Sequence, residues 1–102
     1  MNYRNRKFLN LAHDMHECTL MIPSACIGYS VDGCEPAHAN SQMFGKGMGI
    51  KADDIFAAAC PGCHFEIDQG KRLSKEDRLW YWMRGAILTM ARLMQDGKVG
   101  ML

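Results

Sequence analysis

Residues 60–68 read Cys-Pro-Gly-Cys-His-Phe-Glu-Ile-Asp, and the interpretation of the whole chain starts from this stretch. It holds a Cys-x2-Cys pair, a spacing typical of zinc sites, and His64 comes directly after the second cysteine. Asp68 follows His64 by four residues, so both side chains would project from one face of a helix that starts at Cys63. The stretch predicts a structural zinc knuckle leading into a helix that carries two further metal-type ligands.

The remaining cysteines could complete the zinc site. A structural zinc ion takes four ligands in a tetrahedron, and they usually come as two pairs. Cys18 and Cys26 form a Cys-x7-Cys pair that could join Cys60 and Cys63. Cys34, eight residues past Cys26, could replace Cys18 or Cys26, but we favour a role as a small buried hydrophobic residue. Spacing alone leaves this choice open.

Composition limits the size and the partners of the protein. At 102 residues the chain is predicted to form a single domain, 1–102, whose core is only moderately buried without added support. Twelve Lys and Arg nearly balance eleven Asp and Glu, which excludes a global basic field for nonspecific coating of nucleic acid. Local basic clusters remain, and each is either a binding edge or a solvated surface. They comprise Arg4, Arg6, Lys7, Lys71, Arg72, Lys75, Arg78, Arg84 and Arg92.

The sequence also bears on cellular location. No apolar run has the length of a signal-peptide core or of a membrane span, so we expect a cytoplasmic protein without membrane contact. Thiols stay reduced in that compartment, and five cysteines are an odd number. Metal binding therefore explains the cysteines better than disulfides do.

The part of the chain before residue 35 predicts one short helix and one extended segment. Residues 4–16 favour a helix with one apolar face. His13 and His16 lie within it, as ligands or, more commonly for such positions, as surface or packing residues. Pro23 excludes a helix interior over 18–26, so we expect an extended segment followed by a turn there.

The centre of the chain predicts two short strands separated by a loop. Residues 35–41 favour an edge strand, in which a proline near the start is tolerated, and His38 between two alanines could face an open site. Residues 42–52 carry three glycines and two lysines without the order of a phosphate-binding P-loop; the lysines could contact phosphate, or the segment is a plain connection. Residues 55–59 could pair with the His38 strand or begin a helical turn.

The last part of the chain predicts a long helix. Gly70 is placed to end the preceding helix in a left-handed cap, Ser74 and Asp77 resemble a capping box, and Gly97 can end the long helix. Residues 80–82 are all aromatic and point in three directions, so more than one side of the helix must be covered. We expect the rest of the domain to pack against this helix. A second copy of the chain could also pack against it, which would give a homodimer through this helix. Apolar residues recur at helical spacing: Leu79, Met83, Ala86, Ile87, Met90, Leu93 and Met94.

The succession of these elements resembles the His-Me finger, or HNH, nuclease fold, in which a hairpin and a helix hold one divalent metal ion. The whole chain is similar to the YbcO-like family of small prophage-encoded nucleases. The resemblance rests on residues 18–26, 37–38, 47–51 and 59–68, which occur in one order over the central half of the chain. It implies an α+β fold: a small zinc-stabilised ββα-metal core with a flanking N-terminal helix and a long C-terminal helix.

The resemblance also implies residue roles. His38 falls at the general base that activates water, and His64 at the ligand of a catalytic divalent cation, Mg²⁺ or another. The expected substrate is DNA, in particular branched DNA or recombination intermediates. A metal ion would neutralise charge on the leaving oxygen, and a neutral imidazole can take the water proton near neutral pH. The structural zinc, which supports a small core, is expected on Cys18, Cys26, Cys60 and Cys63.

The chain departs from the common HNH pattern next to its proposed base. Many members have an aspartate before the base histidine, where this sequence has Ala37, and the central Asn is not obvious. Asp68, or else Asp53 or Asp54, would then complete the metal shell. Two hypotheses follow: a metal-dependent DNA endonuclease, or a catalytically silent zinc module that binds nucleic acid or a protein partner. The endonuclease requires His38 and His64 to converge on one cation.

Overall fold

The fold combines a two-stranded sheet with three helices, within residues 5–38 and 55–98, the part of the chain that the computed structural model describes. The α+β class expected from the sequence is confirmed. In chain order the elements are α1 (Arg6–Asn10), which runs into the 3-10 turn Leu11–Asp14, then β1 (Glu35–His38), β2 (Phe56–Ala59), α2 (Pro61–Asp68) and α3 (Lys75–Gln95).

Strands β1 and β2 pair in antiparallel orientation, so Phe56–Ala59 of the ambiguous 55–59 segment is a strand rather than a helical turn. Glu35 lies opposite Ala59, and His38 lies opposite Phe56. Side chains alternate between the two faces of a strand. Ala37, Ala57 and Ala59 therefore share one face, which packs in a core cluster with Cys18, Cys60 and Cys63. Phe56 and Ala58 occupy the other face, in a cluster with Ala12, Cys34 and Leu93.

The backbone groups of Ala58 that face away from β1 are paired with Thr19 and Thr89, and the described ranges contain no third strand at this edge. The backbone N–H and the hydroxyl of Thr19 both donate to the carbonyl oxygen of Ala58, each at 2.8 Å. The Ala58 N–H donates to the hydroxyl of Thr89 on α3 at 2.9 Å. Buried backbone groups must be paired, so these two threonines allow β2 to stay at the centre of the molecule.

Helix α3 begins and ends as its sequence indicates. The Ser74 hydroxyl accepts a hydrogen bond from the N–H of Asp77 at 3.1 Å, as in a capping box. Gly97 has a φ of +70°, and the N–H groups of Gly97 and Lys98 donate to the carbonyls of Met94 and Leu93. This left-handed cap confirms the predicted end of the helix.

Only part of the predicted apolar spacing of α3 is buried. The buried residues are mainly small, Gly85, Ala86 and Thr89 together with Leu93, whereas Met83, Ile87 and Met94 are exposed. A Cβ atom on Gly85 would lie 2.6 Å from Cδ2 of Leu20 and 3.2 Å from Cβ of Ala57. The helix lies so close to β2 that large apolar side chains do not fit between them.

Three other predictions need adjustment. Helix α1 spans only Arg6–Asn10 before the 3-10 turn, so the helix expected over 4–16 is shorter. Helix α2 starts at Pro61, two residues before Cys63. Gly70 does not adopt a positive φ, so the predicted left-handed cap is wrong. A Cβ atom there would overlap the carboxylate of Glu66, which explains the glycine by close packing.

Some predictions lie outside the described residues. These are the last part of the 35–41 strand, the loop 42–52, and the candidate ligands Asp53 and Asp54. Between Cys18 and Cys26 the chain forms a turn at residues 23–25, as expected after the proline. No helix in the described ranges is both long and apolar enough to cross a bilayer.

Candidate functional site

The structure brings four cysteines together. Cys60 and Cys63 lie at the start of α2, where Cys60 is the N-cap residue, and Cys18 and Cys26 come from the loop that precedes β1. Their sulfur atoms all lie within 4.8 Å of one another. Three of the four side chains are buried, and Cys26 is half-buried. The cluster is positioned to bind one metal ion.

The donor set fits structural zinc. With a Zn–S distance of about 2.3 Å, a tetrahedral site separates its sulfurs by about 3.8 Å, so the cluster needs only a small contraction. Backbone N–H groups already point at two of the sulfurs. Ile27 and Cys63 donate to Cys60 at 3.5 and 3.4 Å, and Gly28 donates to Cys26 at 3.3 Å. Such bonds stabilise thiolates, the form in which cysteine binds metal.

Without a metal ion the four thiols differ in pKa. A hydrogen bond from Cys63 lowers the pKa of the Cys18 thiol, and the same bond, together with burial, raises the pKa of Cys63. Burial is the main cause that raises the pKa of Cys26. A metal ion at the centre would replace these protons and hold all four sulfurs as thiolates.

The glycine of the Cys-Pro-Gly-Cys sequence is required by close packing of the two cysteine-bearing loops. A Cβ atom on Gly62 would overlap the carbonyl oxygen of Ala25, beside Cys26. Pro61 occupies the first position of α2, where its missing N–H costs nothing. Pro61 therefore favours the start of α2, and Gly62 allows the loop that carries Cys26 to pack closely against it.

Cys34 lies apart from the four-cysteine cluster. It is fully buried among Ala12, Phe56, Ala58 and Leu93 on the other face of the sheet. Burial raises the pKa of its thiol to about 12, so it is protonated at neutral pH. The structure thus agrees with the interpretation of Cys34 as a small buried hydrophobic residue.

A second polar cluster surrounds His64, one residue after the last cysteine. Nδ1 of His64 lies 2.7 Å from Oε1 of Glu35, and Nε2 lies 3.2 Å from Oδ2 of Asp68. Asp68 is one turn further along α2, as the four-residue spacing predicts, whereas Glu35 comes from the start of β1. The two carboxylates therefore contact opposite nitrogens of one half-buried imidazole.

These contacts determine the protonation of His64. Asp68 is the largest cause that raises the pKa of the imidazole, and Glu35 adds to it, while burial acts in the opposite direction. The result is a pKa of about 9, so His64 is an imidazolium at neutral pH when no cation competes for it.

The geometry of this cluster suits a cation on one side of the ring. Adjacent ligands of an octahedral Mg²⁺ lie about 3 Å apart, given metal–oxygen distances of about 2.1 Å. The 3.2 Å between Nε2 of His64 and Oδ2 of Asp68 matches that spacing. A metal-binding histidine usually donates its other ring N–H to a carboxylate, and Glu35 is placed to accept from Nδ1.

His38, the predicted general base, is not brought to this cluster by the hairpin. Alternation along β1 directs Glu35 and Ala37 to the face of α2 and His38 to the opposite face. There its ring packs edge-on against Phe56, with centroids 6.2 Å apart. Ala37, which stands where many related sites have an aspartate, is fully buried in the core.

The two N-terminal histidines lie away from both clusters. His13 is exposed in the 3-10 turn. His16 is half-buried; its Nδ1 lies 2.8 Å from the carbonyl oxygen of Ser30, and its ring stacks on Tyr29. Both histidines are therefore surface or packing residues, and neither lies among candidate metal ligands.

Glu35 is the site residue that sequence reasoning missed. Its carboxylate is the shortest contact of His64, yet 29 residues separate the two. The signal available was the strand pairing, since residue 35 lies opposite Ala59, directly before Cys60. A register assigned to the two strands would have placed Glu35 next to the start of α2.

Comparison with known proteins gives one solved structure with a similar fold. It is described as "a putative bacteriophage protein from Escherichia coli str. K-12 substr. MG1655", with a TM-score of 0.66 and 22% sequence identity. The match covers 88% of this chain and 99% of that one. No family model matches the chain, and no curated protein matches it. At this identity the likeness concerns the fold alone.

Proposed function

We propose that this chain is a metal-dependent DNA endonuclease of the His-Me finger type, stabilised by zinc on its four cysteines. The observation that carries the proposal is the placement of His64 and Asp68 on one face of α2, with Glu35 behind the imidazole. The order of hairpin, cysteine pair and helix supports it, because the resemblance to the YbcO-like family rests on the same segments. The phage description of the structural neighbour is consistent with a phage-derived origin.

The residues of the second cluster divide into ligands and a positioning group. His64, through Nε2, and Asp68 would hold the cation, with waters completing its shell, as is usual for Mg²⁺. Glu35 would accept the Nδ1 proton and so fix both the tautomer and the ring orientation. When bound, the cation supplies charge neutralisation at the phosphodiester. Branched DNA and recombination intermediates stay the proposed substrates, from the family resemblance.

The role of His38 as general base rests on the resemblance rather than on proximity to His64. Its ring contacts Phe56 on the opposite face of β1 from Glu35. In the proposed reaction a base removes the proton of the attacking water. The His38→Ala variant tests whether that base is His38, and the variants of His64 test the metal site separately.

A catalytically silent zinc module is the second candidate, and two observations favour it. His38 points to one face of β1, whereas His64, on α2, contacts Glu35 on the opposite face of that strand. In addition, both ring nitrogens of His64 contact carboxylates, which gives a half-buried ion cluster that can stabilise the junction of β1 and α2 without any cation. In this alternative the zinc fold presents a surface to nucleic acid or protein.

Plasmid cleavage separates the two candidates. Zinc-loaded protein, freed of host nucleases, is incubated with supercoiled plasmid and with a four-way DNA junction in Mg²⁺ or Mn²⁺. We expect nicking that falls by about 10²-fold or more in His64→Ala and by about tenfold or more in Glu35→Gln, as for direct and outer-shell groups of other metal sites. His13→Ala, which removes an exposed histidine, serves as the matched control.

The controls make the negative results informative. Circular dichroism and zinc content must be unchanged in each variant before rates are compared. Nicking that survives His64→Ala unchanged would show that this cluster is not the metal site. Absence of cleavage of plasmid, junction and single-stranded DNA with either cation would establish the silent module instead. Loss of cleavage in His38→Ala would assign the base, and unchanged cleavage would remove it.

A further inference from the structure

Helix α3 carries an exposed apolar stripe on the side away from the sheet. Trp80, Met83, Ile87 and Met94 are 57%, 42%, 68% and 50% exposed. Spacings of three, four and seven residues place these side chains along one face of the helix. Ala91, also exposed, lies on the same face between Ile87 and Met94. This α3 stripe is separate from both metal clusters.

The stripe is symmetric about its centre. Trp80 lies seven residues before Ile87 and Met94 seven residues after it. Met83 and Ala91 stand four residues before and after Ile87. In two antiparallel copies related by a twofold axis at Ile87, Trp80 of one copy meets Met94 of the other. The large Met83 meets the small Ala91.

Opposite charges lie near the two ends of α3. Glu76 is in the first turn of the helix, Lys98 follows its end at Gln95, and both are exposed. The left-handed cap holds Lys98 at the helix end, since its N–H donates to the carbonyl of Leu93 at 2.9 Å. The antiparallel pair thus places Glu76 of each copy near Lys98 of the other, whereas a parallel pair would place like charges together.

Trp80 is already ordered for such a contact. The guanidinium of Arg84 lies 4.8 Å from the centre of the Trp80 ring and 5.5 Å from that of Tyr81. Arg84 itself donates to the carbonyl oxygen of Leu20 at 2.9 Å, which ties it to the core. A side chain held in place before binding loses less conformational entropy on association.

We infer that the α3 stripe is a homodimer interface, in which two copies of the chain pack α3 against α3 in antiparallel orientation around Ile87. The five stripe residues are uncharged, and the neighbouring Arg84 is half-buried and engaged with Trp80, Tyr81 and the Leu20 carbonyl, which makes the stripe a poor surface for a phosphate backbone. Its symmetric sizes and its opposite end charges match a second copy of the same helix.

Sedimentation over a concentration series, on the full zinc-loaded chain, tests the interface. We expect a monomer–dimer equilibrium that Ile87→Glu weakens about tenfold or more, because two carboxylates would meet near the twofold axis. The matched control is Val31→Glu, which changes an 81% exposed apolar residue outside α3 and should leave the equilibrium unchanged.

Exchanging the charges of Glu76 and Lys98 tests the antiparallel orientation of the two helices, independently of Ile87→Glu. Glu76→Lys should weaken the dimer about two- to fivefold, and adding Lys98→Glu should restore it. A protein that stays monomeric throughout the series would overturn the interface, and so would a dimer that Ile87→Glu leaves intact. A dimer that Glu76→Lys does not weaken, or that Lys98→Glu does not restore, would overturn the antiparallel arrangement.

Discussion

The imidazole of His64 lies 2.7 Å from the carboxylate of Glu35, across 29 residues of sequence. This contact joins the start of β1 to the first turn of α2, immediately beside the four-cysteine cluster. Cys60 and Cys63, two of the four cysteines positioned to bind a metal ion, lie at the start of the helix, and the His64 imidazole that contacts Glu35 follows directly. The four-cysteine cluster and the His64 cluster therefore meet at the start of α2.

The protonation of His64 provides the first prediction. With zinc bound and no other divalent cation present, NMR titration should give a pKa of about 9 for this imidazole. Asp68→Asn should lower the pKa more than Glu35→Gln, because Asp68 is the larger cause of the shift. Excess Mg²⁺ should lower the apparent pKa, since the cation competes with the proton on Nε2. Identical titrations in wild-type and Asp68→Asn protein would contradict this account.

The same shift has a consequence for stability. A pKa raised from 6.5 to about 9 on folding means that the native state binds the proton more tightly. The stabilisation is fully present below about pH 6.5 and is lost as the pH rises through about 9. Urea unfolding at a series of pH values should show this decrease in the wild type. The decrease should be smaller in Asp68→Asn.

Zinc content provides the second prediction. Cys63→Ser should reduce bound zinc from about one ion per chain to a small fraction and lower the thermal midpoint strongly, because structural zinc contributes directly to folding. Cys34→Ala is the matched control, since this thiol is buried on the other face of the sheet. It should keep its zinc. Equal zinc in Cys63→Ser and wild-type protein, by elemental analysis, would exclude the four-cysteine site.

The third prediction concerns Gly62, where the two cysteine-bearing loops touch. Gly62→Ala would push a methyl group into the carbonyl oxygen of Ala25, the residue directly before Cys26. We expect a loss of about 1–3 kcal/mol in the free energy of unfolding, typical of overpacking, and weaker zinc retention against a chelator. Phe65→Ala, at a position of α2 that is 59% exposed, should retain zinc normally. Unchanged zinc retention in Gly62→Ala would contradict the close approach.

Local chemistry made much of this fold predictable from the sequence. The cysteine pair, the first-turn proline and the capping serine act through neighbours in the chain, so the knuckle, α2 and the start of α3 could be recognised directly. The broad pairing of the two strands was also foreseeable. What spacing cannot give is register, which depends on contacts distant in sequence. For that reason Glu35 was missed, and the opposite orientation of His38 along β1 was not anticipated.

Which face of α3 is buried also depends on contacts that are distant in sequence. Helical periodicity of large apolar residues predicts the face that contacts the core. Here the core contact is made by small residues, because the helix lies directly on β2 and on Leu20. Ile87 and Met94 satisfy the same periodicity but point to solvent. The pattern of apolar residues therefore located the helix, and its predicted packing on the rest of the domain is confirmed. Which of its residues are buried is decided by the closeness of the neighbouring strand.

The last prediction measures that closeness. Gly85→Ala should lower the free energy of unfolding. The new methyl group would lie 2.6 Å from Cδ2 of Leu20, at an overpacking cost of about 1–3 kcal/mol that exceeds the gain of about 1 kcal/mol in helix propensity. In a Leu20→Ala background the shortest contact is removed and those with Thr19 and Ala57, at 3.1 and 3.2 Å, remain, so the cost of Gly85→Ala should become smaller. Ile22→Ala, which removes a different buried side chain of the same cluster, is the control and should leave the cost of Gly85→Ala intact. Denaturant unfolding of the four proteins of the cycle gives the coupling energy, and a value near zero would show that α3 is not packed closely against Leu20.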